Sequence, residues 1–176
     1  MNRSALYYFM IPLLLLGGLI QSTAGVRLMV LGVKPDIVLM LILVGSVVYG
    51  AQIGIVWAFI GGLILDTFSG GPMGSSSLAL IGAAFVAGLG HETLSRFNFF
   101  VPLSAAILGT LIYDGLYLSI LAILGRDIAW QATIEGVVLP SVIYNTMIML
   151  LLIPLLNRMP ESHMVGYDSW SLGQPD

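Results

Sequence analysis

Two aspartates lie within or at the edge of long apolar stretches of this chain, where a carboxyl group is rare. Asp114 is near the middle of one stretch, and Asp66 ends another, just before a glycine-rich turn. A carboxylate at the centre of a lipid bilayer costs about 2.5–3.5 kcal/mol, so it must face a packed interior, a wet cavity or a partner. Asp114 is therefore predicted to be interior, in a structural polar contact or a functional site. The polar side chains that could bond it are Tyr113, Tyr144 and Asn145.

Asp66 allows two interpretations. Its carboxylate could serve a functional site, or it could cap the turn that follows, because aspartate side chains readily accept hydrogen bonds from nearby backbone amides. That turn is predicted from its residues, which are Gly70, Gly71, Pro72 and Gly74.

Catalytic arrangements are excluded by spacing and residue type. Ser75, Ser76 or Ser77 could be a nucleophile with His91 as its base, but sixteen residues separate Ser75 from His91. Along one helix that is roughly 24 Å, whereas a nucleophile and its base must be within hydrogen-bond reach. The chain has no cysteine and two histidines, and its glycine turn lacks the lysine of a phosphate-binding loop. These features predict no enzymatic activity, no metal site and no cofactor.

The composition is that of a membrane protein. Hydrophobic residues make up 58% of the 176 positions and charged residues 9%, and the mean hydropathy is +1.01. A soluble domain carries about 25% charged residues. The net charge is −3 and the six basic residues are spread singly, which excludes a nucleic-acid-binding surface. The stretches without acidic or basic residues are 4–26, 37–65, 67–90, 97–113 and 136–157.

These stretches predict an all-α polytopic membrane protein with six transmembrane helices in one bundle. A span needs about 17–25 residues. The predicted transmembrane domain covers residues 1–157, and residues 158–176 form a polar C-terminal tail. Pro140 is expected to kink the last helix. The predicted helices are 5–23, 35–49, a third that follows a break at 49–52 and ends near 68, 75–90, 99–124 and 133–156.

Two alternatives concern this topology. Residues 1–24 also have the layout of a secretory signal peptide, although tyrosines and a proline within the apolar part favour an uncleaved first span. The two arms within 35–66 are only about 15–17 residues each, at or below the normal span length, so a re-entrant hairpin is the alternative to two full spans.

A ladder of small residues runs along the third helix. Gly50, Gly54, Ala58 and Gly62 recur every four residues and lead to Asp66. Small residues at this spacing let another helix backbone approach closely. The ladder is therefore predicted to be a helix-packing face, either for a helix of this chain or as a groove for a partner's helix.

Several of these segments, in this order, resemble the MreD family of rod-shape membrane proteins. The similarity covers nearly all of residues 1–157. It is carried by Gln21-Ser22, Pro35-Asp36, the run from Gly61 to Asp66, the run from Ser69 to Gly74, and Leu78-Ala79.

The resemblance implies a non-enzymatic scaffold subunit of the bacterial cell-wall elongation machinery. Its partner would be an MreC-like bitopic membrane protein, and it would act indirectly with the MreB filament and the glycosyltransferase–transpeptidase pair that extends lateral peptidoglycan. The family is similar in fold to the substrate-capture subunits of energy-coupling-factor vitamin transporters, which gives an alternative function. Those subunits dock through an Ala-x-x-x-Ala ladder on the first helix, and this chain lacks it.

Basic residues leave the orientation in the membrane undecided. With six spans, three basic residues fall on each side, so the positive-inside rule gives a tie. The resemblance implies the bacterial inner membrane with both termini cytoplasmic. The two sets of basic residues are Arg3, Arg96 and Arg158 on one side and Arg27, Lys34 and Arg126 on the other.

Overall fold

The structure, a computed structural model, describes residues 3–23, 33–91 and 99–156. The predicted polar tail at 158–176 and most of the loop between the first two helices lie outside the described residues. Within the described part, the regular secondary structure is helical, which confirms the predicted all-α class. The helices are α1 Arg3–Thr23, α2 Ile37–Tyr49, α3 Ala51–Ser69, α4 Ser75–Leu89, α5 Phe100–Ile123, α6 Trp130–Thr133 and α7 Leu139–Leu156.

The last helical stretch contains an irregular turn. A π-helical segment, Ile134–Val138, joins α6 directly to α7, and Pro140 follows it two residues later. A proline has no amide hydrogen and its ring crowds the carbonyl four residues earlier. A wider π turn is a common way to accommodate such an interruption. The irregularity thus lies in the turn immediately before the proline, where the sequence predicted a kink.

The second helix begins later than predicted. It starts at Ile37, and Asp36 precedes it with non-helical angles of φ −89° and ψ 74°. The Asp36 carbonyl accepts the first helical bond, from the Met40 amide at 2.9 Å. These features define an N-cap, so Pro35 lies outside the helix rather than in its first turn.

One glycine reverses the chain between α2 and α3. Gly50 has φ 88° and ψ 166°, a combination that is essentially restricted to glycine. Since no other residue separates the two helices, α2 and α3 form a tight antiparallel hairpin. Its arms interlock, because the Trp57 ring fills the space where Gly45 has no side chain and packs edge-on to the Tyr49 ring at a centroid distance of 5.6 Å.

The hairpin places α2 at the centre of the bundle. It packs against α1, α3, α4 and α5, while α3 packs on α4, α4 on α5, and α5 on α7. Eight of the 13 residues of α2 are buried. The core of the protein is therefore built around this short apolar helix.

Three helices are long and apolar enough to cross a membrane, namely Ala51–Ser69, Phe100–Ile123 and Trp130–Pro154. Three further apolar stretches are shorter, namely Met10–Thr23, Ile37–Tyr49 and Ser75–Leu89. Large apolar side chains point outward all round the bundle, as lipid contact requires, and include Phe59, Phe85 and Leu151 at 52%, 51% and 80% exposure. The helices are those of a membrane protein, and the count of six complete spans stays a prediction.

Candidate functional site

The small-residue ladder of α3 packs against helices of the same chain. A Cβ added at Gly54 would lie 2.8 Å from the Ser46 Cβ on α2. A Cβ added at Gly62 would lie 2.2 Å from the Ser77 Cα on α4. Real Cβ atoms do not approach other atoms this closely, so the absence of side chains at both positions is what allows the two contacts.

The other ladder positions are also occupied within the chain. Ala58 is fully buried, and Gly50 forms the reversal described above. At Gly54, Ala58 and Gly62 the ladder therefore packs within the chain, and a contact with a partner's helix stays a prediction. The sequence could not decide this, because the spacing of small residues does not identify the neighbour.

The Asp66 carboxylate, near the end of α3, accepts hydrogen bonds from backbone amides at the start of α4. Its Oδ2 accepts the Gly74 amide at 2.6 Å and its Oδ1 accepts the Ser76 amide at 3.1 Å. The Ser75 hydroxyl lies 3.4 Å from Oδ1 but makes its shorter bond, 2.6 Å, to the Pro72 carbonyl. An acidic group at a helix N-terminus satisfies free amides and matches the helix dipole. Asp66 thus acts as a cap across the turn.

The turn that Asp66 closes depends on its glycines. Gly70 and Gly74 have positive φ values of 65° and 91°, which glycine adopts without steric cost. Gly71 sits beside the Tyr117 hydroxyl of α5. The turn therefore joins α3, α4 and α5 at one end of the bundle.

The serines and histidine considered for catalysis have separate structural partners. The Ser77 hydroxyl donates to the Phe59 carbonyl at 3.1 Å. His91 lies just beyond the opposite end of α4, with its Nδ1 2.8 Å from the Val47 carbonyl oxygen. The two groups are thus held at opposite ends of one helix.

A second polar cluster joins four helices around Asp36. Gln21 of α1 donates its Nε2 to the Asp36 carboxylate and accepts the Val38 amide on its Oε1, both at 3.1 Å. Gln21 therefore caps α2 from a neighbouring helix. On the other side, the Asn145 Nδ2 of α7 lies 3.4 Å from Asp36 Oδ2 and 3.3 Å from the Thr110 hydroxyl of α5.

Asp114 belongs to the same region, one helical turn after Thr110. Its Oδ2 is buried and has no hydrogen-bond partner among the described residues, and its carboxyl group interacts electrostatically with Asp36. Tyr144, predicted as a possible partner of Asp114, is half-buried and makes no hydrogen bond to the described part of the chain. Of the predicted polar residues, Asn145 thus bonds Asp36 and Asp114 interacts electrostatically with the same carboxylate, whereas Asp66 bonds the amides at the start of α4.

Sequence reasoning missed Gln21, Asp36 and Thr110 as members of this cluster. A search for charged residues does not find the neutral Gln21 amide or the Thr110 hydroxyl. Asp36 lies at the edge of an apolar stretch, a position typical of a loop residue. A usable signal is that an amide within an apolar span, such as Gln21 or Asn145, needs a polar partner in the bundle.

Comparison with known proteins gives one family match over nearly the whole chain. The sequence model of the family described as rod shape-determining protein MreD matches residues 2–160. No curated protein and no solved structure matches the chain. Because the match covers nearly the whole bundle, including both polar clusters, the chain belongs to the MreD family of rod shape-determining membrane proteins.

Proposed function

We propose that this protein is a non-enzymatic scaffold subunit of the bacterial cell-wall elongation complex. The observation that carries the proposal is the family match over residues 2–160. In this proposal residues 1–157 form a six-span domain in the inner membrane, both termini are cytoplasmic, and residues 158–176 form a cytoplasmic tail.

The partner in this proposal is an MreC-like bitopic membrane protein. Through it the protein acts indirectly with the MreB filament and with the glycosyltransferase–transpeptidase pair. The packing of the bundle supports a scaffold role: α3 makes close backbone contacts on both sides, at Gly54 and Gly62, and such contacts give helices a fixed arrangement. A partner helix would then be held against a rigid outer face.

Deletion of the gene tests the role in cell shape. Cells without the protein should become round, and the wild-type gene should restore rods. Co-purification from the restored strain, followed by mass spectrometry, should recover an MreC-like protein. Rod-shaped deletion cells that have lost uptake of a vitamin would instead support a transport subunit.

The face that binds the partner can be located in the same strain. Photo-crosslinking residues are placed one at a time at exposed positions of three helices, with Leu16 on α1, Leu111 on α5 and Met147 on α7. A single helix that gives a cross-link to the MreC-like protein identifies the face. The buried position Ala58 serves as the control and should give none.

A further inference from the structure

Asn145 carries a buried oxygen without a partner. The residue is 1% exposed, and its Oδ1 has no hydrogen bond in the described part of the chain. The orientation of the amide is fixed, because its nitrogen must face the Asp36 carboxylate, which can only accept when ionised. The unpaired atom is therefore the carbonyl oxygen, at the edge of the cluster that Asp36 and Thr110 share.

Asp114 presents a second unpaired oxygen to the same region. Its Oδ2 is buried without a partner, and its carboxyl group interacts with Asp36. When ionised, this oxygen can only accept a hydrogen bond or coordinate a cation. The exposed Lys34 attracts the Asp36 carboxylate electrostatically. No such interaction joins Lys34 to Asp114.

Both unpaired oxygens can accept a hydrogen bond or coordinate a cation, and the two amide groups of the cluster bond other atoms. The Gln21 and Asn145 amides point at Asp36. The missing group must therefore supply positive charge or a donor. It must also be small, because Asn145 and Thr110 are 1% and 0% exposed.

We propose that Asp36, Thr110, Asp114 and Asn145 bind a small monovalent metal cation of the sodium class through their side-chain oxygens. Carboxylate, amide and hydroxyl oxygens are ligands for hard cations. Calcium takes six to eight oxygens, and magnesium retains water molecules. No group of three or more acidic, histidine or cysteine side chains suited to a metal occurs in the described residues, so a singly charged ion fits this set better.

The test uses the full-length protein in detergent micelles, with its unfolding midpoint measured in sodium chloride, potassium chloride or choline chloride at one fixed ionic strength. Sodium should raise the midpoint saturably above its value in choline, because a ligand bound only to the folded state stabilises it by mass action. Asp114→Asn should weaken the apparent sodium affinity by about tenfold or more, since it removes a charged ligand. Glu135→Gln removes an exposed carboxylate instead and should leave the affinity unchanged.

Binding of radioactive sodium to the wild-type protein gives a second measurement that needs no variant to fold. Retention of about one ion per chain, displaced by unlabelled sodium, supports the site. Equal midpoints in sodium and choline with no retained ion would overturn the proposal and leave a trapped water as the partner of the two oxygens. Stabilisation by calcium or magnesium but not by sodium would also overturn it.

Discussion

At the scale of single residues, the protein uses its polar side chains mainly to join helices to one another. Asp66 bonds the first amides of α4 from the end of α3, and Gln21 bonds the first turn of α2 from α1. Both are caps supplied by a different helix. In a lipid environment no water is present to bond a free amide, so such caps supply the hydrogen bonds that water would otherwise make.

The cap at Asp66 can be tested by removing it. Asp66→Ala leaves the Gly74 and Ser76 amides without their acceptor, and we expect it to lower the free energy of unfolding by about 1.5–3 kcal/mol. Asp66→Asn retains one acceptor oxygen and should have a smaller effect. The measurement is reversible unfolding in mixed micelles. Thr67→Ala, which removes an exposed hydroxyl bonded within its own helix, is the control and should change little; equal losses for both would show that the cap contributes nothing.

The bond between Gln21 and Asp36 gives a prediction about a near-isosteric change. Gln21→Glu replaces the donor that faces Asp36 by a second carboxylate, so we expect a clearly lower unfolding midpoint than for the wild type. Gln131→Glu makes the same replacement in an exposed pair, where Gln131 donates to Glu135, and should cost little because water screens exposed charges. A midpoint unchanged by Gln21→Glu would contradict the polar cluster.

Asp114 should tolerate asparagine far better than lysine. Asparagine keeps a polar group of similar volume, whereas lysine would place a longer, cationic side chain where the Asp114 Oδ2 is buried. The amounts of Asp114→Asn and Asp114→Lys protein in membranes, measured by immunoblot, provide the comparison. If the two variants and the wild type accumulate equally, the side chain faces water and the interior assignment is wrong.

At the scale of helices, glycines set how closely the hairpin and α4 pack. A methyl group at Gly62 would collide with backbone atoms of Ser77, which cannot move aside without shifting α4. We therefore expect Gly62→Ala to destabilise the bundle by about 1–3 kcal/mol, as overpacking does, and to lower the protein's own abundance.

Gly115 offers a matched control for that prediction. It lies on α5 with no atom within 4 Å of an added Cβ, so Gly115→Ala should be neutral or slightly stabilising, because alanine has the higher helix propensity. Abundance and thermal midpoint of both variants can be measured in parallel. Normal abundance of Gly62→Ala together with loss of the partner would show that the ladder does contact another protein after all.

Sequence patterns predicted the positions of the helices well but did not predict which helices pack against each other. The predicted ends of the fourth and fifth helices differ by at most one residue from Ser75–Leu89 and Phe100–Ile123, because glycines, charges and polar residues mark them. The predicted start of α2 was wrong, because Asp36 is the N-cap and Pro35 lies before it. The contact between Asp36 and Asn145 spans 109 positions, and no local pattern predicts it.

At the scale of the whole molecule, the topology is defined by the number of times the chain crosses the membrane. We predict six crossings with both termini cytoplasmic. Reporter fusions after Gly125 and after Asp176 should then report opposite sides, because one span separates them. Reports from the same side would mean that the α2–α3 hairpin is re-entrant or that another segment does not cross.

The central position of α2 has a consequence for biogenesis. Synthesis proceeds from the N-terminus, so α2 emerges before α3, α4 and α5, three of the four helices that enclose it. On its own it is a poor insertion signal, since 13 residues reach only about 20 Å across a hydrocarbon layer of about 30 Å. The single-residue link at Gly50 attaches it to α3, and we expect the two to leave the translocon together as one hairpin. Nascent chains that stop before α3 should therefore fail to retain α2 in the membrane.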